Sequence, residues 1–172
     1  MLWLAIALLT AALAPAADGA CEGSEYHRLD FWIGEWTVVD AAGHVVGTNR
    51  IQKTLKGCAV EENWTEPSGA EGKSLFYYWP PERRWKQVWV TDAATVLGGV
   101  KEKRELPTAD GGMRFQGELV DRDRIILDRT TLTPLGGGRV RQLIETSIDG
   151  GTTWKAQFDA VYERTTRSPA RR

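Results

Sequence analysis

The residues with the types and spacing to do chemistry are carboxylates, amides and guanidinium groups set among aromatic rings. Glu62 and Trp64 stand two apart, as do Phe76 and Tyr78, and Trp85, Gln87 and Trp89 follow the same spacing. On an extended strand, residues two apart share one face. On "RVRQLIETS", either Arg141 and Glu145 or else Gln142 shares the inward face. Aromatic rings with a few polar groups are the usual lining of a small-molecule pocket. Trp64, Tyr78, Gln87 and Trp89 are then candidates for the wall, with Glu62 or Arg141 fixing a polar end of a small hydrophobic or aromatic molecule. A carboxylate caged by indoles is also raised toward neutrality and becomes competent as a general base. Under that second reading Glu62 or Glu145 serves a barrel-type isomerase or hydrolase. A third reading is a structural or interaction module with a filled interior.

Other chemistries find little footing. The histidines are His27 and His44, and neither stands in a metal-ligand spacing, so no metal or other cofactor is expected. The triplet Gly136-Gly137-Gly138 lies between strand-like runs and reads as a hairpin turn, not a phosphate loop. A net charge of -1, with basic and acidic residues interspersed, carries no nucleic-acid footprint. "SIDGGTTW", Ser147 to Trp154, matches the Asp-box of sialidase-type propellers, but it occurs once. It reads as a β-turn in which Asp149 accepts backbone N–H groups and Trp154 packs back on the hairpin.

These side chains need strands to position them. Runs rich in Val, Ile, Thr and aromatics alternate with turn signals along the whole chain, giving about ten short strands. Met113, Phe115 and Leu119 share a face opposite Arg114, Gln116 and Glu118, and Phe158, Ala160 and Tyr162 share another. Strands with one buried face close as an antiparallel up-and-down barrel, which removes unpaired edges. A barrel of about ten strands is too wide to fill completely and leaves a ligand-sized cavity. "CEGSEYHRLDFWIG" is the exception, a short helical or 3₁₀ segment ahead of the first strand.

The chain ends differ in character. Residues 1–20 read as a secretory signal, an apolar run ending in Ala14-Pro15-Ala16, with cleavage near Ala16 to Ala20. The run is too short for a membrane span, so no stable membrane insertion is expected after its removal. Residues 21–165 form the barrel domain, and 166–172 a basic, disordered tail. Cys21 and Cys58, in an exported periplasmic or secreted protein, read as one disulfide. Asp18 stands where a lipoprotein signal carries an aliphatic residue, which argues against lipidation of Cys21.

"DFWIGEW", "GCAVEENW", "KSLFYYW", "WKQVWVTD", "VRQLIETSIDGGTTW" and "FDAVYER" together resemble a family of exported bacterial proteins with a lipocalin-like domain of unknown function. That family is similar to the wider calycin-type barrels. The resemblance runs in order from about Leu29 to Arg164. It implies a barrel around a pocket and no particular activity. It also implies that Gly34-Glu35-Trp36 opens the first strand, with Trp36 plugging the closed end beneath Arg164 of the last strand.

Overall fold

The computed structural model describes residues 21–93, 99–109 and 111–165. The signal assigned to residues 1–20 and the tail at 166–172 lie outside the described residues. Ten strands follow one another: β1 (Gly34–Asp40), β2 (Val45–Thr54), β3 (Ala59–Thr65), β4 (Glu71–Trp79), β5 (Arg84–Thr91), β6 (Val100–Leu106), β7 (Met113–Asp121), β8 (Arg124–Leu135), β9 (Arg139–Ser147) and β10 (Lys155–Arg164). Each pairs antiparallel with the next, and β10 returns to β1, with Trp36 opposite Arg164, to close the barrel. The all-β up-and-down architecture expected from the alternation is the one observed.

The alternation decides what lies inside. Met113, Phe115 and Leu119 of β7 are buried, as are Ala160 and Tyr162 of β10. Phe158, two residues before Ala160, faces the same interior, and a bulge between Ala156 and Phe158 shifts the register only of the residues before it. Two 3₁₀ turns, Ser24–His27 and Asp30–Trp32, precede β1 and cap one end of the barrel. They deliver Leu29 and Trp32, both fully buried, into the core. Trp32 meets Phe76 edge-on at 5.5 Å, and Phe76 meets Phe115 at 5.2 Å. Edge-to-face pairs at these separations are the favourable aromatic geometry.

This end is clamped at several points. Trp36 donates its indole N–H to the Trp32 carbonyl at 2.9 Å, and the Arg164 guanidinium lies 3.9 Å from the Trp36 ring centre. Arg28 pairs with the buried Glu105 at 2.5 Å, whose other oxygen accepts the Trp85 backbone N–H at 2.9 Å. Cys21 and Cys58 form the disulfide, tying the N-terminal segment to the chain just before β3.

At the opposite end, the β9–β10 turn is built around Asp149. Its carboxylate accepts from the Thr153 N–H at 2.9 Å, the Thr153 hydroxyl at 2.6 Å and the Ser147 hydroxyl at 2.7 Å. The Thr153 bonds, followed by that from Ser147, hold the Asp149 carboxyl down at about 2. Trp154 donates to the Gly151 carbonyl at 3.0 Å, and the Arg129 guanidinium covers its ring at 3.6 Å.

Candidate functional site

Above the aromatic closed end, the interior changes character. Gln87 Nε2 donates to Ser74 Oγ at 3.0 Å, and Ser74 Oγ donates to Glu62 Oε2 at 2.6 Å. Asn49 Nδ2 donates to Glu62 Oε1 at 2.7 Å and to the Tyr162 hydroxyl at 3.2 Å, which in turn donates to Gln142 Oε1 at 2.5 Å. The chain of bonds crosses β5, β4, β3, β2, β10 and β9 at one level of the barrel. On the remaining wall, Lys103 Nζ donates to Asp128 Oδ1 at 2.5 Å and to Thr130 Oγ1 at 2.7 Å, while Lys101 pairs with Asp128 Oδ2 at 2.7 Å. Buried polar groups are tolerated only when bonded, and this girdle satisfies most of its own members. Gln87 Oε1 is an exception, buried without a hydrogen-bond partner among the described residues.

Burial sets the ionisation of the girdle. It raises the Glu62 carboxyl above the ordinary carboxylate range, against the bonds from Ser74 and Asn49 and the charge of Lys103. It lowers the Lys103 ammonium to about 8, and the like charge of Lys101 adds to this, while Asp128 opposes it. Burial also acts to raise Asp128, but the charges of Lys103 and Lys101 outweigh it and hold that carboxyl below its ordinary value. Burial, then the nearby Glu62, lifts the Tyr162 hydroxyl well above its usual range.

The girdle is the floor of a cavity of about 180 Å³ at the end of the barrel opposite the disulfide. Glu62, Gln87, Lys103, Thr130, Gln142 and Tyr162 form the floor. Trp64, Glu66, Trp89, Lys101, Ile144 and Phe158 form the rim. Two glycines shape that rim by having no side chain. A Cβ on Gly47 would lie 2.3 Å from the Trp64 ring, and one on Gly72 would lie 2.1 Å from the Trp89 ring. Each indole therefore lies against bare backbone of the preceding strand. Trp64 also meets Phe158 edge-on at 5.9 Å.

The structure brings Glu62, Trp64, Gln87 and Trp89 to one cavity, and leaves three other candidates away from it. Tyr78 lies on the inward face but at the closed end, where it packs on Tyr26 and Trp85. Arg141 and Glu145 point outward from β9, because Val140 and Gln142 take its inward positions. Arg141 forms a two-pronged ion pair with Asp159 across the outer wall, at 2.7 and 2.6 Å, and Glu145 pairs with Arg129 at 2.9 Å. Lys101 and Lys103 were missed as site residues. The readable signal was β6 itself: "VKEKREL" has charged residues on both faces, so either face that enters a barrel carries charge inward.

The histidines sit at the margins. His27 bonds to Asp30 at 2.8 Å outside the closed end, and His44 pairs with Asp40 at 3.2 Å in the β1–β2 turn. Among the described residues no group of three or more His, Cys, Asp or Glu side chains is placed to hold a metal ion, and no helix is long and apolar enough to cross a membrane. No protein-family model and no curated protein matches the sequence.

Proposed function

We propose that this chain is an exported barrel that binds a small, partly apolar or aromatic molecule in the cavity at its open end. The observation that carries the reading is a rim of Trp64, Trp89 and Phe158 above a polar floor containing an unpartnered amide oxygen of Gln87. Apolar walls with a few oriented polar groups are the general form of such sites. Export is supported by the apolar leader at the start of the sequence and by the Cys21–Cys58 bond, since disulfides persist chiefly in oxidising compartments. The ten-strand closed barrel is compatible with the calycin-type resemblance.

A role for Glu62 as a general base is disfavoured, because Ser74 and Asn49 occupy both of its oxygens. The test is a screen of small lipids, aromatics and sugars read by tryptophan emission and thermal melting. A ligand at about 100 times its Kd stabilises a protein by roughly 2.7 kcal/mol, which a melting curve resolves. Unchanged emission and melting across the whole screen would remove the proposal and leave the interaction module as the better reading.

A further inference from the structure

We propose that the ligand is a single-ring aromatic carboxylate, seated carboxylate-down on Lys103 with its ring between Trp64, Trp89 and Phe158. The inference rests on the binding reading and narrows it to one chemical class.

Size sets the ring count. The cavity is about 180 Å³. An apolar protein cavity of about 150 Å³ accommodates benzene. One substituted ring therefore fits, and a fused or long-chain ligand does not fit within the walls.

Charge sets the sign. Two ammonium groups, Lys101 and Lys103, share the single carboxylate of Asp128, one on each oxygen. Burial pushes Glu62, the other floor carboxyl, toward its neutral form. Glu66 stands at the exposed rim, where water screens it. Two ammonium groups thus face one carboxylate, and the like charge of Lys101 adds to the burial that chiefly lowers Lys103. An ammonium has three N–H donors, and Lys103 spends two on Asp128 and Thr130. The third is available to a ligand oxygen.

The floor offers a second donor. With a proton on Glu62, its O–H donates to Ser74, and the Ser74 hydroxyl turns to donate to Gln87. A Gln87 amide flipped by half a turn accepts that bond through Oε1 and presents Nε2 where the unpartnered oxygen stood. Oxygen and nitrogen of a Gln amide are assigned by such networks. The flip gives the orphaned oxygen a partner and leaves an N–H donor beside Lys103 on the cavity floor.

The experiment titrates the oxidised protein with benzoate, benzamide and benzylamine, followed by tryptophan emission and calorimetry. Near neutral pH, benzoate binds about tenfold more tightly than benzamide, the difference between a charge-assisted and a neutral hydrogen bond, and benzylamine binds weakest. The preference for benzoate shrinks as pH rises beyond about 8, where Lys103 loses its proton, while benzamide binding holds steady. Lys101, Asp128, Glu62, Glu66 and Tyr162 are the other titratable groups around it. Ionisation of Glu62 would also weaken benzoate binding, so the same titration on Glu62→Gln, which cannot ionise, must still show the loss. Lys103→Met removes the preference, with melting checked to show that the variant folds. Lys101→Gln, which leaves the Lys103–Asp128 pair intact, weakens it in part. Benzamide or benzylamine binding as well as benzoate, or a preference that survives Lys103→Met, overturns the inference and leaves the binding reading standing. If none of the three rings binds, the inference falls, and the binding reading is decided separately by the wider screen of lipids, aromatics and sugars.

Discussion

A Cβ at Gly34 would lie 1.8 Å from Nη1 of Arg164, so any side chain there displaces the arginine. Gly34 also holds φ at +148°, a conformation that other residues rarely adopt. The space it leaves lets Arg164, at the far end of the barrel domain, donate to the Ile33 carbonyl at 2.6 Å while covering Trp36. Gly34→Ala therefore costs roughly 1–3 kcal/mol, from backbone strain and from the displaced arginine. Part of that cost disappears in an Arg164→Ala background, because the clash is gone while the strain stays. A double-mutant cycle by urea denaturation measures the difference. Strict additivity would separate the glycine from the arginine.

The cover of Arg164 over Trp36 was implied by the family resemblance, not by the periodicity of either strand. The strands themselves were legible from the residues: runs of β-branched and aromatic residues broken by Gly, Pro and Asp turns. The faces of β9 and β6 were not. Val140, Gln142 and Ile144 point inward on β9, while Leu143 stands on the other face between Arg141 and Glu145. Apolar residues on both faces leave the parity undecided. On β6 the inward residues are Lys101, Lys103 and Glu105, which a rule placing charge outside assigns wrongly. Only the partners Asp128, Thr130 and Arg28, distant in sequence, make those positions tolerable.

Stability should respond to Glu62 and Asp149 with opposite signs. Glu62 has a folded value raised above 4.5 by burial, so its contribution is full below that value and is lost as pH rises through the folded one. Glu62→Gln is therefore destabilising or neutral in acid and gains on the parent as pH rises. Asp149 is held down at about 2, so its contribution is present above 3.8 and is lost as pH falls through about 2. Asp149→Asn is less stable than the parent at neutral pH, and the gap narrows in acid. Denaturant midpoints from about pH 3 to about pH 9 resolve both slopes. Parallel curves for Glu62→Gln and the parent would show that the carboxyl titrates as though exposed.

Gly72 gives a handle on the rim that leaves the floor untouched. Gly72→Ala places a methyl within 2.1 Å of the Trp89 ring, so the indole on the cavity rim must shift. Tryptophan emission shifts, and ring ligands bind about tenfold more weakly, the cost of an anchor moved out of place. Arg141→Ala is the control: it removes an exposed outer-wall ion pair, changes stability by about 1 kcal/mol or less, and leaves ligand affinity alone. An effect of Arg141→Ala on affinity as large as that of Gly72→Ala would relocate the site.

The disulfide is expected to govern the closed end and to leave the cavity largely unaffected. Cys21 and Cys58 are separated by 37 positions, for which loop-closure entropy corresponds to about 3–4 kcal/mol of stabilisation, an upper figure where strain intervenes. The segment so held carries Leu29 and Trp32 into the core, and the Glu25 carbonyl receives the Trp85 indole N–H at 2.9 Å. A net stability of roughly 5–15 kcal/mol makes this a large share. Reduction, or Cys58→Ser, should lower the urea midpoint steeply, while any ligand that still binds the folded fraction does so with its affinity little changed, since the girdle from Gln87 to Gln142 separates the two ends. The oxidised chain should weigh two hydrogens less than the reduced one. A midpoint indifferent to reduction would mean that Leu29 and Trp32 hold the segment in place without the bond.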